Sequence, residues 1–123
     1  MRTRLTKKAI TTFESIKRVD DNGIEYCSSR DLWKVLGYTE YRHFLPVIEK
    51  AKIACQNSSQ PISDHFEDIL EMVVIGSGAE RPLDSIKLSR YACYLTVQNA
   101  DPNKTIVAQA QTYFATQTRI AEI

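Results

Sequence analysis

Asn22-Gly23 is the strongest folding instruction in this chain. The pair closes Asp20-Asp21-Asn22-Gly23, which separates Ile16–Val19 from Ile24–Cys27. Asn-Gly tolerates the positive φ values that a tight hairpin turn demands, and the β-branched residues on either side favour strands. Ser28-Ser29-Arg30-Asp31 follows at once, with the form of a capping box ending in a carboxylate. Leu32, Val35 and Leu36 then give the next segment one apolar helical face, and Gly37 is a natural C-terminal stop. Paired strands running directly into a short helix already point to a mixed fold.

The remaining chain extends that pattern. A second helical region is expected from about Thr39 to Gln56, with Pro46 inside it. Proline lacks the N–H donor, so the helix either kinks or restarts there. Val47, Ile48, Ala51, Ala54 and Cys55 form its apolar stripe, and Asn57–Pro61 reads as a loop. Asp64 with Glu67 is expected to cap a short helix through Ile69 or Leu70. Met72–Ile75 and Leu83–Leu88 read as strands around Gly76–Pro82, which has the composition of an exposed, mobile loop. Ser89 is placed to cap a helix from Arg90 to about Gln98, and Asn99-Ala100-Asp101-Pro102 ends it. A last helix spans Asn103 to Ala121, with Ile106, Val107, Ala110, Tyr113, Phe114 and Ile120 on one side. The first dozen residues are basic and aperiodic, and read as a flexible arm. The expected architecture is α+β: an arm over residues 1–12, then one domain over 13–123 with several helices on two short β-hairpins. Residues 28–44 have the helix, glycine turn, helix outline of a helix-turn-helix.

Composition bounds the function. Length and a hydrophobic content of 43% suit one globular domain with a single core. No apolar run approaches a membrane span, and the N-terminus lacks the apolar stretch of a signal peptide, so a cytoplasmic location is expected. Cys27, Cys55 and Cys93 are odd in number and widely spaced, which favours buried thiols over a disulfide framework. The net charge is only +1, but it is unevenly distributed. Arg2, Arg4, Lys7, Lys8, Lys17 and Arg18 face only Glu14 in residues 1–18, a local balance of +5. Residues 28–52 carry +2, and residues 53–72 carry −4 from Asp64, Glu67, Asp68 and Glu71. Such polarity can present one basic face despite a neutral sum, although solvated helix faces produce the same numbers.

Two runs mix aromatic and basic side chains beside helix boundaries: Gly37-Tyr38-Thr39-Glu40-Tyr41-Arg42-His43-Phe44 and Leu88-Ser89-Arg90-Tyr91-Ala92-Cys93-Tyr94-Leu95. With Phe13-Glu14-Ser15-Ile16-Lys17, Asp64-His65-Phe66-Glu67, Gln98-Asn99 and Gln111-Thr112-Tyr113-Phe114-Ala115, they follow the order of a known pattern. The chain resembles the N-terminal domain of the DNA-damage-inducible protein D family, a bacterial member of the Bro-N group. That resemblance covers Phe13 to about Arg119 and implies DNA binding in the bacterial damage response. Members are usually longer, so this chain is expected to lack the usual C-terminal half, whose contribution is not carried over.

With the resemblance in place, the candidate DNA contacts are Arg30, Lys34, Tyr38, Tyr41, Arg42, His43, Arg81, Lys87 and Arg90. Arginine can pair bidentately with guanine or phosphate, and tyrosine rings can stack on bases. In a helix-turn-helix, Thr39, Glu40, Arg42 and His43 would lead the second helix. Arg90 opens a helix, where the dipole disfavours a cation, so an anion is expected beside it: a phosphate, or Asp64, Glu67 or Asp84. Arg81 would act as a finger from the glycine-rich loop, with Lys87 beside it. Lys7, Lys8, Lys17 and Arg18 would hold phosphates without reading sequence.

Catalysis finds little support. His43 and His65 cannot complete a zinc pattern by spacing, and no nucleophile elbow or P-loop is present. Asp64, Glu67, Asp68 and Glu71 could in principle bind Mg²⁺, but their spacing reads more simply as a solvated helix face. His65 beside Phe66 reads as a satisfied, partly buried histidine. The expectation is a non-enzymatic DNA-binding domain, nucleoid-associated, without metal or cofactor and without a membrane partner. Single- and double-stranded targets are not distinguished. The rival is a protein-interaction module that modulates a recombination or repair protein, through the acidic segment 64–71 or by homodimerisation along the last helix.

Overall fold

The computed structural model describes residues 14–122. Strand β1 (Arg18–Val19) pairs antiparallel with β2 (Glu25–Ser28) across the Asn-Gly turn. Gly23 takes a φ of 77°, and Asp20 Oδ1 accepts from the Asn22 and Ile24 N–H groups, so the turn is fixed by its own sequence. Helix α1 (Ser29–Val35) starts where Ser28 Oγ accepts from Asp31 N at 3.1 Å. Gly37 follows it at φ 78°. Helix α2 (Tyr41–Asn57) runs unbroken through Pro46. The hydrogen bond that Pro46 cannot make would have reached the Arg42 carbonyl, in the helix's exposed first turn.

The acidic segment is not a helix. Only a single 3₁₀ turn, Ile62–Asp64, precedes strand β3 (Phe66–Val74), which pairs along its whole length with β4 (Glu80–Ser89). Glu67, Asp68 and Glu71 happen to fall at helical spacing, which masked a period of two. Ile69, Glu71 and Val73 are half-buried while Leu70, Met72 and Val74 are exposed. The outward positions are apolar, so hydrophobicity did not mark the alternation.

The two expected hairpins, β1–β2 and β3–β4, are both present and join. β2 pairs with β4 through Tyr26↔Ser89, Cys27↔Leu88 and Ser28↔Lys87, giving one four-stranded antiparallel sheet in the order β1-β2-β4-β3. β4 continues past the end of β2, and α1 takes over that edge. Ser29 Oγ accepts from Ile86 N at 3.0 Å, and Arg30 Nε donates to the Asp84 carbonyl at 2.6 Å. The backbone groups that would otherwise lie open are satisfied by two consecutive residues of the helix.

Helix α3 (Arg90–Gln98) is capped by Ser89, whose Oγ accepts from Ala92 N, and α4 spans Thr105–Glu122. The core joins Leu32 of α1 and Leu36 just after it, Phe44, Ile48, Ala51 and Cys55 of α2, Leu88 of β4, Ala92 and Val97 of α3, and Val107, Ala110 and Tyr113 of α4. The expectation of three buried thiols is corrected: Cys27 and Cys93 form a disulfide between β2 and α3, and only Cys55 is free. Their separation of 66 residues hid the pairing, which exists only once the sheet and α3 are assembled. Burial, then the charge of Asp64, raises the Cys55 thiol pKa. Among the described residues no helix is long and apolar enough to cross a membrane.

Candidate nucleic-acid interface

The turn between α1 and α2 gathers most of the aromatic and basic side chains singled out in the sequence. Its shape depends on Gly37. A Cβ there would come within 3.3 Å of Ile106 Cγ2, and the positive φ adds strain for any other residue. Tyr38 lies against Phe44, with ring centroids 5.2 Å apart, and its hydroxyl oxygen accepts from Asp101 N at 3.3 Å. Lys104 reaches over the Tyr38 ring, 5.2 Å from its centroid, with Nζ 3.4 Å from the Gly37 carbonyl. Tyr41 meets Trp33 edge-on, bonds Ser29 Oγ at 2.7 Å, and has the Arg30 guanidinium 4.0 Å above its ring. Lys34 is exposed beside Trp33.

Arg42 and His43 project from the first turn of α2, both toward Glu40. Arg42 Nε stands 2.7 Å and His43 Nε2 3.2 Å from the same Glu40 oxygen. The Arg42 side chain is 76% exposed. Exposed pairs of this kind contribute about 0–1 kcal/mol, so a phosphate can displace the carboxylate at small cost. Lys34 beside Trp33 and Lys104 over Tyr38 add two further cations near this turn, with Glu40 and Asp101 as carboxylates beside them.

The other candidates lie elsewhere or are already engaged. Arg30 caps the β4 edge and stacks on Tyr41, which makes it part of the framework. Lys87 bonds Asp20 at 3.2 Å and sits over the Tyr26 ring; the Asp20 hydrogen bond holds its pKa up. Arg90 has a carboxylate beside it, as its position at a helix start requires. The partner is Glu25, at 3.5 Å, rather than Asp64, Glu67 or Asp84. Arg81 stands exposed on β4 opposite Val73, inside the strand rather than in a loop, without a hydrogen-bond or ion-pair partner among the described residues.

Two further residues expected to hold phosphates have carboxylate partners. Lys17 pairs with Glu14 at 2.9 Å. Arg18 bridges Asp31 and Glu71, each at 2.6 Å, tying β1 to α1 and β3. Burial works against the Glu71 charge, but hydrogen bonding from Ser85 and Arg18 and the Arg18 charge outweigh it, leaving the carboxyl below its usual value. Lys7, Lys8 and the rest of the expected arm lie outside the described residues.

The acidic residues do not form a helix face. Glu67 and Glu71 share one face of β3, while Asp68 points to the other. Among the described residues no group of three or more His, Cys, Asp or Glu side chains could hold a metal ion. His65 is satisfied, as expected: Nδ1 lies 2.7 Å from Ser89 Oγ and its ring packs on Tyr91.

Lys104 and Trp33 were not anticipated. No local signal marks Lys104, which follows a turn and reaches Tyr38 only after α4 packs back on the α1–α2 turn. Trp33 lay between apolar positions already assigned to the helix face.

Residues 15–115 match the BRO family, N-terminal domain. The chain is 60% identical over 111 residues to DNA damage-inducible protein D of Escherichia coli (strain K12), covering 90% of this chain and 40% of that protein. It therefore spans well under half the length of this curated relative. No solved structure matches the chain. The resemblance carried by the sequence words is borne out, and the chain belongs to the BRO family as an example of its N-terminal domain.

Proposed function

We propose that this chain is a non-enzymatic DNA-binding domain of the damage response, acting at the nucleoid. The observation that carries this reading is the α1–α2 turn, where Lys34, Arg42, His43 and Lys104 surround Tyr38, Tyr41 and Trp33. Cations hold phosphates, and aromatic rings beside them suit contact with nucleic acid. The similarity to a relative named for DNA damage supports the biological setting. Arg30 supports the site by fixing Tyr41, and exposed Arg42 is the principal contact.

The test is fluorescence anisotropy of labelled single- and double-stranded DNA titrated with the chain over a salt series. Saturable binding that weakens with added salt is expected. Absence of binding at low salt overturns the reading.

The protein-interaction alternative has its own supporting observation. The β3–β4 hairpin carries Glu67, Asp68, Glu71, Glu80 and Asp84 against Arg81 and Lys87, a balance of −3. A surface of that sign repels phosphate and suits protein contact. The last helix is a poor candidate for the same role, because Val107, Ala110 and Tyr113 are buried and Phe114 packs against the core. Ile120 lies beyond the side chains described.

A further inference from the structure

A cleft of about 350 Å³ opens between α1 and the outer part of β3. Helix α1 supplies Arg30, Asp31, Trp33 and Lys34 to its lining, and β3 supplies residues 71–74. Arg18 spans the two sides, bonding Asp31 and Glu71 at 2.6 Å each, so both carboxylates already have a cation. Lys34 forms no ion pair among the described residues. Arg18, Arg30 and Lys34 against Asp31 and Glu71 leave the lining with a balance of +1. The rest is apolar or aromatic: Val73 is half-buried, and Met72 and Val74 are exposed. The Trp33 indole N–H is buried and has no hydrogen-bond partner among the described residues. Such a donor is costly to leave unmet, and an acceptor brought to it removes that cost. The volume lies at the lower end of the range of about 300–1,000 Å³ for small-ligand sites, which combine apolar walls with a few polar groups.

We propose, resting on the DNA-binding reading above, that this cleft receives one unpaired base of a strand whose phosphates are held at the α1–α2 turn. The chain is then a binder of single-stranded DNA. Trp33 and Lys34 belong to the cleft and to the turn alike, and Trp33 meets Tyr41 edge-on, so the two surfaces are continuous. A nucleotide carries in one unit what this lining can engage. It has a flat ring for the aliphatic side of Val73 and Val74, edge acceptors for the Trp33 N–H, and a phosphate for Lys34. In a duplex the ring faces are stacked and the pairing edges occupied, so a base enters only by being extruded, at the cost of unstacking. Glu67, Asp68, Glu80 and Asp84 of the hairpin lie outside this lining, and Glu71 within it is held by Arg18. The hairpin's acidic balance therefore does not oppose a base at this place.

The experiment compares three labelled probes of equal length by anisotropy: an oligothymidylate, an abasic strand that keeps every phosphate, and a duplex containing the oligothymidylate. The intact strand should bind about tenfold more tightly than either of the others, whereas a site that holds phosphates alone favours the denser charge of the duplex. Trp33 is the single tryptophan of the chain, so its fluorescence reports on the cleft. The intact strand should change that emission saturably and the abasic strand should not. Val73→Phe, which narrows the cleft, should reduce the preference for the intact strand with an unchanged far-UV circular dichroism spectrum. Equal affinity for intact and abasic strands, a preference for the duplex, or an equal fluorescence response to both strands overturns the base site and leaves the DNA-binding reading standing. An undiminished preference in Val73→Phe also overturns it. No binding of any probe at low salt overturns the DNA-binding reading itself, and the base site with it.

Discussion

The two halves of β4 show how one strand serves different ends. From Ser85 to Ser89 it is enclosed: β3 and β2 or α1 flank it, Leu88 is fully buried, and the Cys27–Cys93 bridge lies alongside. From Glu80 to Asp84 it has β3 on one side and carries exposed Glu80, Arg81 and Asp84. Continuous pairing with β3 makes the outer half a stiff extension, but its side chains add little to the core. The difference teaches that position along a strand, as well as membership of the sheet, decides which substitutions touch stability.

The sharpest way to break this contrast is Leu88→Ala. It removes a fully buried side chain and should cost about 2–5 kcal/mol, read from the shift of the urea midpoint. Ser29→Ala should come next. It strands the buried Ile86 N–H, which sits at the boundary between the two halves, at a cost of about 1–3 kcal/mol.

Glu71 gives a pH-dependent version of the comparison, because its Arg18 bond ties the outer ribbon back to β1. Its carboxyl pKa is lower folded than unfolded, so its contribution is complete above the unfolded value and disappears as pH falls through the folded one. Glu71→Gln should therefore destabilise the protein at neutral pH and flatten the acid side of its stability profile, measured by urea melts from neutral to acidic pH. The smallest effect belongs to Leu70→Ala. In dilute protein this change should shift stability by no more than about 0.5 kcal/mol, despite being chemically identical to Leu88→Ala. Leu70 lies on β3 opposite Asp84 in the outer half of β4, so equal costs at the two positions would contradict the division of the β3–β4 ribbon into an enclosed and an outer part.

What the sequence revealed follows the range of the interactions involved. The Asn22-Gly23 turn, the Ser28 and Ser89 caps and the Gly37 stop were legible because each is satisfied by atoms a few residues away. β3 was misread because its solvent face is apolar and its acids share a helical spacing. The Cys27–Cys93 bridge, the Ser29 cap on Ile86 and the Arg18–Glu71 pair join residues 66, 57 and 53 positions apart. No local pattern encodes such partners.

The candidate site was legible in outline for the same reason. Lys34, Tyr38, Tyr41, Arg42 and His43 lie on one local helix-turn-helix segment, whereas Lys87 and Arg90 look equally available in sequence until Asp20 and Glu25 fold against them. Lys104 joins Tyr38 only through tertiary packing.

The central claim is that DNA binds at the α1–α2 turn and not along the acidic hairpin. Anisotropy with one labelled DNA, across a salt series, should compare the wild-type chain with Lys34→Ala/Arg42→Ala and with Arg81→Ala. The account predicts that the double variant binds more weakly with a shallower salt dependence, and that Arg81→Ala matches the wild type. Loss of binding in Arg81→Ala, with the double variant unaffected, would move the interface to the hairpin and contradict it.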